Sequence, residues 1–101
     1  MRNIYVPIKG TFDYSGAEPY GSLVYLAEGR VDPFQLPEFA RVCQEKMQGS
    51  CEDDFILISG LTSYCIVATS VLIGRLPPIC RVVNLLIHKK GQYVREQFTF
   101  R

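Results

Sequence analysis

The chain has 101 residues, 48% of them apolar, with six Tyr, six Phe and a formal charge of +1. That length and apolar content predict one domain over residues 1–101 built on a single core. The near-neutral charge, spread along the chain, argues against duplex DNA as a partner, which needs a basic face meeting many phosphates. No run reaches the ~18 apolar residues of a membrane span. The start, MRNIYVPIKG, lacks the apolar centre of a secretion signal, so a cytoplasmic protein without a membrane partner is expected.

Residues 4–8 (IYVPI) predict a first strand, with Pro7 pushing it toward a strand end or sheet edge. Residues 9–21 form a turn-rich connection carrying Phe12, Tyr14 and Tyr20. Residues 22–28 predict a second strand, and the connection is short enough for antiparallel pairing with the first. After residues 29–36, Pro37 suits the first position of a helix. Phe39, Ala40, Val42, Cys43 and Met47 recur at helical spacing, and Gly49 ends it. Residues 55–58 (FILI) are a continuous apolar run, the pattern of a strand covered on both faces. Ser59-Gly60 turns the chain, and Leu61-Thr62-Ser63 opens a second helix that Gly74 and Pro77-Pro78 close. Residues 81–87 predict a further strand and residues 93–100 alternate as the last, joined by the loop His88-Lys89-Lys90-Gly91.

The order β-β-α-β-α-β-β predicts an α/β domain with a single-layer mixed sheet. The central β-α-β crossover makes its two strands parallel, the outer pairs are expected antiparallel, and two helices cover one face. The four cysteines form no CxxC pair and the lone His88 lies eight residues beyond Cys80, a poor spacing for zinc, so neither a metal site nor a cofactor is expected. Cys43 and Cys65 fall in apolar helical patterns and read as core thiols.

Ser59, Gly60, Thr62 and Ser63 are the first candidates for binding. The carboxyl end of a buried strand next to a helix N-terminus offers unpaired backbone N–H groups to an anion. The plainer reading is a helix cap and a turn glycine. Asn84 interrupts an apolar strand, so its amide either pairs inside the core or faces a site or interface. The acidic run Glu52-Asp53-Asp54 reads as a solvated loop. The catalytic residue is unknown; His88, flanked by Lys89 and Lys90, is the single candidate for a general acid.

The element order, FILISGLTSY and the later VVNLLIHKKGQYV hairpin resemble the small CRISPR-associated ring nucleases of type III systems and their relatives. The sequence-specific part of the resemblance is Ile58-Ser59-Gly60. It implies a fold of the CARF/Rossmann-like or ferredoxin-like kind and a cytoplasmic antiviral-defence protein. It further implies a homodimer, or a ligand-stacked higher oligomer, that binds a cyclic oligoadenylate such as cyclic tetra-adenylate. Such a protein would sequester the messenger or cleave it slowly as a phosphodiesterase, damping the signal. Ligand contacts would then come from Ser59, Gly60, Thr62, Ser63, Asn84, Lys89 and Lys90, with Tyr64 stacking on adenine. The catalytic members carry histidine on the helix after the Ser-Gly turn. Tyr64-Cys65-Ile66-Val67 stands there instead, which favours binding over turnover. Two other readings fit the composition: a non-enzymatic oligomeric interaction module, and a small protein that binds or cleaves RNA through His88, Lys89 and Lys90.

Overall fold

The structure, a computed structural model, describes residues 2–29 and 31–100; Met1, Arg30 and Arg101, all within the domain expected over 1–101, lie outside the described residues. Its organising strand is β3 (Phe55–Ile58), where Phe55, Ile56 and Leu57 are each at most 1% exposed. An uninterrupted apolar run lets this strand sit between two covered faces. Around it lie β1 (Asn3–Val6), β2 (Ser22–Tyr25), β4 (Val82–Lys89) and β5 (Gln92–Thr99), in the sheet order β2-β1-β3-β4-β5. The first four run parallel and β5 is antiparallel to β4. The sheet is therefore mixed, as the sequence predicts. Its order, 2-1-3-4-5, is one of the doubly wound α/β orders, with the strand order reversing between β1 and β3.

The pairing of β1 with β2 differs from expectation. Asn3 lies opposite Ser22 and Val6 opposite Tyr25, so the strands are parallel. The connection is no hairpin loop: a 3₁₀ segment, Ser15–Tyr20, carries the chain back along the sheet. Its aromatic residues make the crossover favourable, because they bury against the sheet face opposite the helices. Tyr14 packs on Tyr25 with ring centres 5.9 Å apart, and Tyr20 meets Phe55 edge-on at 5.8 Å. Ile4, Val6, Ala17, Leu57 and Leu86 complete this second, smaller core.

Helices α1 (Leu36–Lys46) and α2 (Thr62–Arg75) cover the other face. Phe39, Cys43 and Met47 of the α1 stripe meet Tyr64, Ala68 and Leu72 of α2 over Tyr5 and Ile56. The Phe39 and Tyr64 rings stack at 4.1 Å. Pro37 is the second helical residue and Gly74 lies inside α2 rather than ending it. All four cysteines are free, with Cys43, Cys65 and Cys80 buried and Cys51 exposed.

The β4–β5 hairpin is tighter than the expected four-residue loop. Lys89 pairs with Gln92, leaving Lys90 and Gly91 as a two-residue turn with φ of 52° and 81°. Both central residues of a type I′ turn need positive φ, and glycine supplies this without strain. His88 and Lys89 consequently belong to β4. No described helix is long and apolar enough to cross a membrane.

Candidate functional site

At the carboxyl end of β3 the chain turns through Ser59 and Gly60 before Thr62 begins α2. Gly60 has φ of 78°, and a Cβ there would stand 3.3 Å from the Cβ of Ile8. Only glycine combines this left-handed backbone with so close a neighbour. The space at Gly60 is thus taken by Ile8, two residues beyond β1, packing on the turn. Leu61 is the N-cap of α2, and no side chain caps it. Neither Thr62 nor Ser59 plays the capping role read from the sequence.

A cleft of about 390 Å³ opens beside this turn, on the sheet face opposite the helices. Leu57, Ile58, Ser59 and Gly60 form its floor; Phe12, Asp13 and Tyr14 form one wall, and His88 and Tyr93 the other. The walls are aromatic for a structural reason. Residues 10–14 lead into the 3₁₀ crossover, while His88 and Tyr93 are direct partners across the β4–β5 ladder. Their rings meet edge-on at 5.1 Å. Phe12 is 71% exposed, with its ring edge-on to Tyr14 at 6.5 Å between centres.

The polar groups of the cleft are few and distinct. Ser59 Oγ is buried and, among the described residues, is the single buried side-chain polar atom without a hydrogen-bond partner. The backbone carbonyl of Ser59 accepts from Cys65 Sγ at 3.2 Å, so only the hydroxyl is left over. Asp13 accepts from the Ser15 amide at 2.9 Å. Hydrogen bonds from the Ser15 side chain and amide hold its carboxyl below the usual range, so it stays charged at neutral pH. Burial, reinforced by nearby Tyr14 and Asp13, pushes the Tyr93 phenol up, and it remains a neutral donor. The cleft therefore offers flat apolar surfaces, one carboxylate and an imidazole, with the unpaired Ser59 hydroxyl buried at its floor. A larger, open depression of about 780 Å³ near Arg2, Glu18 and Ser22 has no comparable unpartnered buried group.

The sequence-predicted residues divide. Ser59, Gly60 and His88 meet in the cleft. Thr62 lies on the helix side, in an apolar groove with Ile58, Cys65 and Ile66. Tyr64 is 3% exposed, stacked on Phe39, and donates to the Asp32 carbonyl at 2.8 Å. Asn84 is at the other end of the sheet, donating to the Glu52 carbonyl at 2.9 Å and accepting from Gln97 Nε2 at 2.6 Å. Ser63 is half-buried at the start of α2, and Lys89 and Lys90 are exposed at the hairpin tip. Phe12, Asp13, Tyr14 and Tyr93 were not among the expected site residues. The aromatic residues of the first connection were the available signal, but their place depends on the parallel crossover. Among the described residues no three His, Cys, Asp or Glu side chains gather as a metal site would require.

A profile of the phage Pam3 gp32-like protein family matches residues 3–98, from the first residue of β1 into β5. The chain belongs to that family. This overturns the resemblance to CRISPR-associated ring nucleases, and with it the setting of type III antiviral defence. The reason the resemblance misled is architectural. Ile58-Ser59-Gly60 followed by a helix is what a parallel sheet needs to leave a strand and enter a crossover, so it marks the fold and not the ligand. No curated protein and no solved structure matches the chain.

Proposed function

We propose that this family member is a cytoplasmic binding module whose cleft takes a small planar heterocycle of the nucleobase or nucleotide class. The unpartnered Ser59 hydroxyl carries the reading. A buried hydroxyl without a partner costs about 1–3 kcal/mol, a cost removed when the side chain turns its hydroxyl into the cleft toward a ligand's polar edge. Supporting it, open α/β sheets bind ligands outside the carboxyl ends of their strands, at the switch in strand order. The cleft is at that end, with rings suited to stack on a planar group and Asp13 suited to accept from a ring amine. At about 390 Å³ it falls at the lower end of the ~300–1,000 Å³ of ligand clefts. This size favours one base with its sugar over a cyclic tetranucleotide held by a single subunit. The four free cysteines agree with a reducing compartment.

Calorimetric titration with AMP, GMP and UMP, and with cyclic tetra-adenylate for comparison, tests the proposal through the heat of binding. A saturable change with at least one mononucleotide, weakened about tenfold (~1.4 kcal/mol) by Ser59→Ala, is expected. Because Ser59→Ala also removes an unpaired buried group, the ligand-free variant should be as stable as the wild type or more so. No response from any mononucleotide at about 1 mM, the concentration matching ~4 kcal/mol of binding, would sink the reading.

A further inference from the structure

We infer that the free edge of β5 is a self-complementary interface that joins two copies of this chain by antiparallel strand addition, centred on Gln97. The inference is independent of the ligand cleft and begins with the geometry of the β4–β5 ladder.

A two-residue hairpin makes Lys89 and Gln92 the first hydrogen-bonded pair, after which bonded and non-bonded pairs alternate. The Phe100 amide bonding to the Arg81 carbonyl at 2.9 Å agrees with that alternation. The main-chain groups of Tyr93, Arg95, Gln97 and Thr99 therefore point away from β4, toward the open edge. Of these, the Tyr93 carbonyl already accepts the Tyr20 hydroxyl at 3.2 Å. Arg95, Gln97 and Thr99 are left facing outward.

A second β5 related by a two-fold axis must pair these outward groups with one another, and its side chains decide the register. Centring on Arg95 opposes two guanidinium groups, and centring on Glu96 opposes two carboxylates. Both are unfavourable across a strand pair. Centring on Gln97 sets Arg95 against Thr99, Glu96 against Phe98 and Val94 against Phe100. That register places no like charges opposite each other and uses the outward groups of Arg95, Gln97 and Thr99 without competing for the Tyr93 carbonyl. Registers centred further along pair fewer residues.

The helix-side face agrees. Val94, Phe98, Ile87, Ile58 and Ile66 are 36%, 41%, 36%, 36% and 61% exposed, an apolar strip running from α2 out to the edge. Long exposed edges with apolar side chains are ordinarily shielded, since they template further pairing. The strip reaches the seam, so a second copy would bring its own Val94, Phe98 and Phe100 against this one.

Sedimentation equilibrium of the wild-type protein, with cysteine cross-linking in a Cys51→Ser background, tests the interface. Gln97 would face its own copy in a bonded pair about 5.5 Å apart at Cα, within the ~4.4–6.8 Å that a disulfide spans. Gln97→Cys is therefore expected to form a disulfide-linked dimer under mild oxidation, whereas Arg95→Cys, opposite Thr99, is not. Wild-type protein sedimenting as a dimer, with that contrast between the variants, supports the interface. A wild-type monomer at concentrations up to about 1 mM, or equal cross-linking of the two variants, would overturn it.

Discussion

Asp54 is 1% exposed at the entry to β3, and its carboxylate gathers main-chain and side-chain donors from three places. The Asn3 amide donates to Oδ1 at 2.9 Å, the Cys51 amide to Oδ2 at 3.1 Å, and the Tyr5 hydroxyl to Oδ2 at 3.4 Å. Within Glu52-Asp53-Asp54 it looks like one more solvated acid, but the third acid of the run turns inward to organise the loop before β3. Nothing in the local composition distinguishes it from its neighbours. The distinction lies in the β1 amide, which is brought to it only by the parallel pairing of β1 and β3. Asp54→Ala should lower stability by about 1.5–3 kcal/mol, the range for hydrogen bonds to a charged group, read as a shift of the urea midpoint. An unchanged midpoint would mean that water replaces the carboxylate without loss. Ser59 is the opposite case: a polar side chain read as a cap or ligand donor, yet left without any protein partner.

At the scale of elements, β3 and α2 were legible because their signals are strong and local. FILI has no polar interruption, and the apolar content of α2 is high all round, as befits a helix packed on sheet and α1 alike. The direction of β2 was not legible. Residues 7–21 can form either an extended return or a crossover, and what decides is the burial of Tyr14, Ala17 and Tyr20, a tertiary effect. The turn between β4 and β5 was placed correctly in the chain but drawn too long. Its tightness forces Lys90 into the left-handed region, where a β-carbon costs roughly 1 kcal/mol. Lys90→Asn should recover about 0.5–1 kcal/mol, since Asn-Gly is a favoured pair for this turn. A thermal melt would register this as a higher midpoint; a lower one would show that Lys90 contributes something beyond the turn.

For the whole molecule, the mixed sheet and the covering helices follow from the order of elements, while the switch in strand order and the cleft beside it emerge only once β1 is placed between β2 and β3. The main core is also a site of proton linkage. Burial drives the Cys43 thiol up from 9.0 to about 12, and burial likewise raises Tyr5 and Tyr64. A group whose pKa is raised by folding contributes stability that is complete below its unfolded value and lost as pH rises toward its folded one. Unfolding midpoints should therefore fall as pH increases from about 9 toward 11, and less steeply in Cys43→Ala. A flat profile in the wild type would contradict the burial of that thiol. The interior place of β1 also has a temporal side. This strand pairs through Ile4 and Tyr5 with Phe55 and Ile56, which are made some fifty positions later. Until β3 emerges, the nascent chain holds an apolar strand with one flank open. Commitment to the native sheet is thus deferred until β3 is made, whereas the β4–β5 hairpin, whose paired residues are close in sequence, can close as soon as it appears.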